Sequence, residues 1–131
     1  MKIRVYYEDT DAGGIVYHSN YLNFCERARS EMFFQKGLSP VLPNGHFVAK
    51  KLEADYISSA KLGDELEVLT ELVEIRAASF VLLQSVFKGS AAPSGRKIFE
   101  LKITLAYVTF EGRPQKITRD VKELIESLFR S

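Results

Sequence analysis

The feature that most constrains the fold of this chain is one long helical pattern followed by four consecutive strand-like segments. Over residues 19–36, apolar side chains recur at spacings of three and four, which predicts a helix that ends before Gly37. Alternating apolar and polar residues then mark four strands, at residues 47–58, 64–75, 79–88 and 97–110. Successive strands with short connections favour an antiparallel sheet, and the helix must bury its apolar stripe against that sheet.

The remaining segments complete an α+β architecture. A β-rich stretch at residues 2–8 precedes the long helix, and residues 119–129 carry the pattern of a short C-terminal helix. A curved antiparallel sheet wrapped around one long helix is the hotdog arrangement, which this order of elements predicts. The length of 131 residues suits one domain over residues 1–131, and no repeat or linker interrupts it.

Local signals refine these elements. Ser19 is a plausible N-cap of the long helix, and Gly37 is a plausible residue just beyond its end. The segment from residue 89 to residue 95 is small and flexible, so it predicts a turn. The apolar stripe of the helix consists of Tyr21, Cys25, Ala28 and Met32, and the last strand alternates Phe99, Leu101, Ile103, Leu105 and Tyr107 with Glu100, Lys102 and Thr104.

Composition excludes several function classes. The net charge is +1, so no global field attracts nucleic acid or an anionic membrane. No apolar run approaches the roughly 20 residues that cross a bilayer, and the first residues lack the apolar core of a secretory signal. A single cysteine, Cys25, cannot form an internal disulfide. These features predict a cytoplasmic protein that does not span a membrane.

Residues 6–21, YYEDTDAGGIVYHSNY, gather the chemically informative side chains in front of the long helix. Two carboxylates, Asp9 and Asp11, resemble the start of a calcium loop. The twelfth position of that loop would be Asn20, however, where calcium loops carry a bidentate glutamate. Histidine and cysteine also lack the paired spacing of a zinc site, so the sequence predicts no metal. Cys25 lies on the apolar stripe, which favours a core residue over a nucleophile.

The same stretch suits chemistry on a carbonyl group. A helix N-terminus presents unpaired backbone N–H groups that can stabilise an oxyanion, and a nearby carboxylate can act as general base or nucleophile. His18 could donate a hydrogen bond or move a proton, and Tyr7, at the end of the first predicted strand, could orient water. The alternative is that the aspartates only shape a turn and that His18 is an ordinary residue at a helix start.

Residues 4–29, RVYYEDTDAGGIVYHSNYLNFCERAR, resemble the YbgC group of hotdog acyl-CoA thioesterases, which is related to the 4-hydroxybenzoyl-CoA thioesterases. The resemblance implies that Asp11 is the catalytic aspartate and that a backbone amide contacting the oxyanion falls on His18. It further implies that the His18 side chain and Tyr7 assist Asp11. It also implies dimers of hotdogs, often homotetramers, with active sites at subunit interfaces.

The resemblance extends to substrate and partners. An acyl-CoA thioester would be the substrate, with no separate cofactor, and the group is associated with acyl carrier protein, phospholipid synthesis enzymes and the Tol–Pal envelope system. Coenzyme A carries phosphates, so basic side chains should line its path, and arginine binds phosphate in bidentate fashion. The candidates for this role are Arg76, Ser79, Arg113 and Lys116, with Arg76 and Arg113 favoured. An acyl tunnel could be lined by Phe24, Met32, Phe33 and Phe34, or these could be core residues.

Two other functions remain as alternatives. A hotdog hydratase or dehydratase would carry its catalytic histidine on a different stretch, and His46, the only other histidine, has no such motif around it. A non-enzymatic module that docks acyl carrier protein or an envelope partner is the second alternative, against which the Tyr7, Asp11 and His18 set argues. The sequence leaves open the acyl chain and the choice between direct water attack and an anhydride intermediate.

Overall fold

A computed structural model describes residues 1–89 and 95–130, and in that part it shows two α-helices, one short 3₁₀ helix and five strands. The 3₁₀ helix is Tyr7–Asp9, α1 is Asn20–Phe34 and α2 is Arg119–Phe129. The predicted order of elements is confirmed, and β4 and α2 have the predicted bounds. The strands are β1 (Lys2–Arg4), β2 (His46–Tyr56), β3 (Glu65–Ile75), β4 (Ser79–Lys88) and β5 (Arg96–Val108).

The strands form a five-stranded antiparallel sheet in the order β1-β3-β4-β5-β2. β1 pairs antiparallel with β3, and Ile3 lies opposite Leu66 in this register. Both side chains are buried, which fixes the register because a shift by one residue would turn them to the other face. β2 lies at the opposite edge, and each of its residues from position 48 to position 56 is exposed.

The chain forms two compact units. The first unit comprises Met1–Ala28, Ala54–Leu69 and Gln84–Leu101, and the second comprises Arg29–Glu53, Thr70–Leu83 and Lys102–Ser131. Each unit has an aromatic core of its own. The single domain expected over residues 1–131 stays a prediction.

The core of the first unit holds the beginning of α1 against the sheet. The Tyr21 ring stacks on Phe99 with centroids 5.0 Å apart and an angle of 18° between the rings. Tyr56 packs on Phe99 as well, at 5.0 Å. The Gln84 side chain is completely buried, and its Nε2 donates a hydrogen bond to the Cys25 carbonyl oxygen at 2.9 Å. The buried amide is therefore satisfied, as a polar group in a core must be.

The core of the second unit is a cluster of phenylalanines. Phe80 of β4 contacts Phe47 of β2 at 5.0 Å and Phe129 of α2 at 5.9 Å between ring centroids. Phe33, near the end of α1, reaches Phe129 at 6.0 Å. The Thr118 hydroxyl accepts a hydrogen bond from the Val121 N–H and caps α2. The cluster buries the apolar face of α2, as the sequence pattern predicts.

The predicted apolar stripe of α1 is largely confirmed. Tyr21, Cys25 and Ala28 are buried, whereas Met32 is only half-buried. The buried face is wider than predicted, since Phe24 and Phe33 are also at most 4% exposed. These two phenylalanines are therefore core residues within the chain, and Phe34 is 55% exposed. The expectation that Met32 or Phe34 lines an acyl tunnel stays a prediction.

The predicted end of α1 at Gly37 is confirmed by its hydrogen bonds. Gly37 has a φ of 71°, its N–H donates to the Phe34 carbonyl oxygen, and the Leu38 N–H donates to that of Phe33. This pair of bonds is the Schellman arrangement, which needs a left-handed residue at the glycine position. At the other end, no hydrogen bond to the Ser19 hydroxyl caps α1 within the described parts of the chain.

Three sequence expectations need correction or fall outside the description. β1 ends at Arg4 and not at residue 8, because the Asp9 carboxylate accepts the Tyr6 N–H at 2.9 Å and turns the chain into the 3₁₀ helix. Thr104, expected on the polar face of β5, is buried. Most of the predicted turn over residues 89–95 lies outside the described residues.

Among the helices described, none is both long and apolar enough to cross a membrane.

Candidate active site

The stretch DTDAGG forms a tight hairpin turn ahead of α1. The Asp11 N–H donates to the Ile15 carbonyl oxygen at 2.9 Å, and the Gly14 N–H donates to the Asp11 carbonyl oxygen at 3.0 Å. Gly14 has a φ of 78°, a conformation that glycine adopts without steric cost. Aspartate at the first position and left-handed glycine at the fourth are typical of a type I turn with a G1 bulge. The turn fixes where Asp11 lies.

In the described part of the chain, one oxygen of the Asp11 carboxylate accepts a hydrogen bond and the other does not. Oδ1 accepts a hydrogen bond from the Gly13 N–H at 2.8 Å, which is the local bond that favours aspartate at the start of such turns. Asp11 is exposed, and no donor reaches Oδ2 from any residue that the structure describes. Asp11 therefore does stabilise the turn, as the alternative interpretation expected. Only Oδ1 takes part in this, and Oδ2 can still act on a substrate.

Asp9, the other aspartate of the stretch, is a buried structural residue. Its Oδ2 accepts the Tyr6 N–H, and its backbone oxygen accepts hydrogen bonds from the Tyr17 N–H and from Asn20 Nδ2, each at 2.9 Å. Asp9 is 8% exposed, so substrate has little access to it. Asp9 connects the 3₁₀ helix to the start of α1 through these hydrogen bonds. Asp9 is therefore a structural residue, whereas the Asp11 carboxylate is accessible.

His18 lies at the entrance to α1. Its side chain is exposed, and its ring centroid is 4.5 Å from that of Tyr17. The Tyr17 carbonyl oxygen accepts the Asn20 N–H at 2.8 Å, and the His18 carbonyl oxygen accepts the Tyr56 hydroxyl at 2.9 Å. In the described part of the chain, no acceptor is bonded to the His18 N–H itself. A free donor thus lies at a helix N-terminus, where the backbone carries partial positive charge.

An open cavity of about 590 Å³ lies at the turn. Tyr7 and Asp11 both line it, whereas His18 does not. Tyr7 is 81% exposed and belongs to the 3₁₀ helix, so its expected place at a strand end was wrong. The structure brings Tyr7 and Asp11 together at one cavity and places His18 at the base of the same hairpin. The cavity is lined by Tyr7, Thr10, Asp11, Ala12, Gly14 and Leu62.

Of the expected phosphate ligands, Arg76 lies in the turn between β3 and β4, and Ser79 is the first residue of β4; both belong to the second unit. The Arg76 Nε donates to Glu74 Oε1 at 3.0 Å, so the guanidinium already has an acidic partner. The Arg76 N–H donates to the Ser79 carbonyl oxygen at 2.7 Å. Ser79 is 7% exposed and lines a cavity of about 370 Å³ in the same unit, together with Lys50.

Arg113 and Lys116 follow β5 in the second unit and are both exposed. The Arg113 carbonyl oxygen accepts the Thr109 N–H at 2.8 Å, which folds this segment back beside the end of β5. The Ile117 N–H donates to the Ala77 carbonyl oxygen at 2.8 Å. The structure therefore brings this segment next to the turn that carries Arg76, and the expected basic residues share one region of the second unit.

Sequence reasoning missed Tyr56, Leu62 and Lys50. Tyr56 bonds to His18 across 38 residues of sequence, and Leu62 reaches the cavity from the loop before β3. No local motif signals either contact, because each depends on the pairing of distant segments. The one available hint was that Tyr56 lies close to the end of a predicted strand.

The two tyrosines near the start of α1 have altered phenol acidity. Burial raises the pKa of Tyr56, and the nearby Cys25 adds to this effect. Burial also raises the pKa of Tyr21, against the opposing effect of the hydrogen bond from the Ala60 N–H. Both phenols therefore stay protonated at neutral pH. The Tyr56 hydroxyl remains a donor to the His18 carbonyl oxygen under those conditions.

Metal chemistry has no visible basis in the part of the chain that the structure covers. No group of three or more histidine, cysteine, aspartate and glutamate side chains there could hold a metal ion. Cys25 is buried, which confirms it as a core residue. The expected absence of a metal and of a separate cofactor stays a prediction.

Comparison with known proteins gives the family. Residues 13–92 match the thioesterase superfamily. The Helicobacter pylori protein named acyl-CoA thioesterase YbgC is 40% identical over 133 residues, covering 98% of this chain and all of that protein. A Thermus thermophilus thioesterase, solved with coenzyme A and zinc, is 25% identical, has a TM-score of 0.80, and is matched over 98% of this chain and 92% of its own.

A solved 4-hydroxybenzoyl-CoA thioesterase shares the fold, with a TM-score of 0.83, 24% identity and 95% of each chain covered. The sheet order and the two helices are therefore those of the hotdog fold, as the sequence predicts. The chain belongs to the thioesterase superfamily and, within it, to the YbgC group of thioester hydrolases.

Proposed function

We propose that this protein hydrolyses acyl-CoA thioesters to a free acid and coenzyme A. The observation that carries the proposal is the Oδ2 of Asp11, which no donor among the described residues contacts. It lies at an open cavity, on a turn that holds the other oxygen in place. The relatives support the substrate class. One is named as an acyl-CoA thioesterase, and another was solved with coenzyme A bound.

In the proposed mechanism, the His18 N–H donates a hydrogen bond to the thioester carbonyl oxygen. This donor has no other partner in the described chain and lies at a helix N-terminus, so it can stabilise the negative charge that develops on that oxygen. Asp11 Oδ2 then takes a proton from water as the water oxygen bonds to the carbonyl carbon. The carbon–sulfur bond breaks, and the thiolate of coenzyme A leaves and takes up a proton.

Nucleophilic attack by Asp11 is the second route to the same products. Oδ2 would bond to the carbonyl carbon and expel the thiolate, and water would hydrolyse the resulting anhydride. Oxygen-18 water in a single turnover separates the two routes, because label first found in Asp11 requires the anhydride. The Tyr7 hydroxyl shares the cavity with Asp11 and orients the water in either route, and the His18 ring assists the proton transfer.

The basic residues of the second unit are proposed to hold the coenzyme A phosphates. Arg113 and Lys116 are exposed, while Arg76 would have to exchange Glu74 for a phosphate. Ser79 fits this role less well, because it is buried. Cytoplasmic location and association with acyl carrier protein or phospholipid synthesis enzymes complete the proposal for the cellular setting.

The proposal predicts that purified protein releases free thiol from acyl-CoA. Short-chain, long-chain and aromatic acyl-CoAs form the first panel, and a thiol-reactive dye measures release. We expect turnover on one of these classes, since a cavity of fixed shape discriminates among acyl groups. Absence of release from all of them, and from acyl carrier protein thioesters, would contradict the enzyme and favour the docking module.

We also propose that the chain forms a homodimer through β2, and that two such dimers form a homotetramer. The strand lies at a sheet edge, and Val48, Leu52 and Tyr56 of one face are 39–49% exposed. An edge of this kind pairs readily with another strand. Antiparallel pairing of two copies around Leu52 would place Lys51 opposite Glu53 of the partner subunit, so the charges of this strand favour such pairing.

Leu52→Asp should therefore convert the dimer to a monomer. The change places like charges on both sides of the two-fold axis and removes apolar contact. Light scattering after size exclusion measures the mass against the 14.8 kDa of one chain. Leu69→Asp is the matched control, because Leu69 on β3 is a leucine of similar exposure, at 37% against 45%. Equal mass for wild type and Leu52→Asp would overturn the β2 interface.

A further inference from the structure

We infer that Tyr56 is a positioning residue for catalysis, which acts by fixing the peptide group that follows His18. Its hydroxyl donates to the His18 carbonyl oxygen at 2.9 Å. Tyr56 does not line the cavity at Asp11, so its effect on a substrate passes through the backbone of His18. The inference rests on the proposed hydrolysis.

Three hydrogen bonds join the segment that begins with Tyr56 to the entrance of α1. Besides the bond from Tyr56, the Val16 N–H donates to the Ala60 carbonyl oxygen at 2.9 Å, and the Ala60 N–H donates to the Tyr21 hydroxyl at 3.1 Å. The bonds of Val16 and Tyr21 thus hold the two ends of the segment over residues 16–21, which leads into α1. Within this segment, the Tyr56 hydroxyl holds the peptide group that follows His18.

The peptide group on the other side of His18 is also fixed. Its carbonyl oxygen, that of Tyr17, accepts the Asn20 N–H at 2.8 Å, while the Tyr17 N–H donates to the Asp9 carbonyl oxygen. With both flanking peptide groups held, the His18 N–H keeps one direction although it has no acceptor of its own in the described chain. A donor held in place before the reaction stabilises an oxyanion without reorganisation, which is why the Tyr56 bond matters for rate.

The Tyr56 ring is anchored independently of its hydroxyl. It packs at 5.0 Å from Phe99 and at 5.9 Å from Tyr21, both of which are buried. Tyr56→Phe therefore keeps the ring contacts and removes only the bond to His18. We expect kcat to fall about tenfold, because small displacements of a catalytic group cost one to two orders of magnitude. KM should stay within about twofold, because the cavity is unchanged.

Tyr107→Phe is the control, since it removes the same atom from a buried tyrosine of the second unit. It should leave kcat near the wild-type value even if its melting temperature falls more than that of Tyr56→Phe. Unchanged kcat in Tyr56→Phe, with active wild type, would overturn the inference. So would equal losses of kcat in both variants, which would indicate a general effect of destabilisation. An inactive wild type would overturn the proposed hydrolysis instead.

Discussion

Asp11→Asn is expected to lower kcat at least about a hundredfold, in line with the contribution of a general base. The amide oxygen of asparagine can still accept the Gly13 N–H, so the turn is kept. The substituted group loses only the charge and basicity of the oxygen that has no partner in the described chain. The melting temperature should therefore stay within about 2 °C of wild type, as for surface changes that keep their contacts.

Two controls separate catalysis from folding. Glu8→Gln removes an exposed carboxylate from the same stretch and should leave kcat within about twofold. Asp11→Ala removes the Oδ1 acceptor as well, so it should add a loss of stability that Asp11→Asn lacks. Thiol release and thermal melts on the same preparations test these expectations. If Asp11→Asn is stable and keeps more than about a tenth of the wild-type kcat, Asp11 is not catalytic and only stabilises the turn.

The parts of the fold that depend on local pattern were predictable from the sequence. The 3.6-residue period over α2 marked this helix with its bounds, since the pattern reports directly which face is buried. The bounds of β4 were predicted as well, although most of its residues are buried rather than every second one. Gly37 was predictable because the left-handed residue that ends a helix is usually glycine. The early end of β1 was not predictable, because it results from the bond between the Asp9 carboxylate and the Tyr6 N–H.

The candidate site divides in the same way. Asp11 and its glycines could be found because turn chemistry and the family pattern lie within a few adjacent residues. Residue types alone could not decide that Asp9 is buried and Asp11 accessible, since both precede a turn. Tyr56 could not be found, because its bond to His18 depends on where the end of β2 meets the entrance of α1. Contacts between distant segments carry no signal in a single sequence.

Phe99→Ala should cause the largest loss of stability among these variants. Phe99 is fully buried, and its ring contacts both Tyr21 and Tyr56 at 5.0 Å. Truncating a buried phenylalanine to alanine costs about 3–5 kcal/mol through lost apolar contact and the cavity left behind. For a domain of this size, each kcal/mol lowers the melting temperature by about 4 °C, so we expect a fall of at least about 10 °C.

Phe110→Ala is the matched control, because Phe110 is 57% exposed and should cost no more than about 0.5 kcal/mol. Circular dichroism melts of both variants measure the two melting temperatures. A decrease of less than about 3 °C for Phe99→Ala would contradict the packing of the first unit. The two tyrosines on Phe99 are also those that hold Ala60 and His18. Phe99→Ala should therefore lower kcat even well below its melting temperature, because the backbone that presents the His18 amide loses its support.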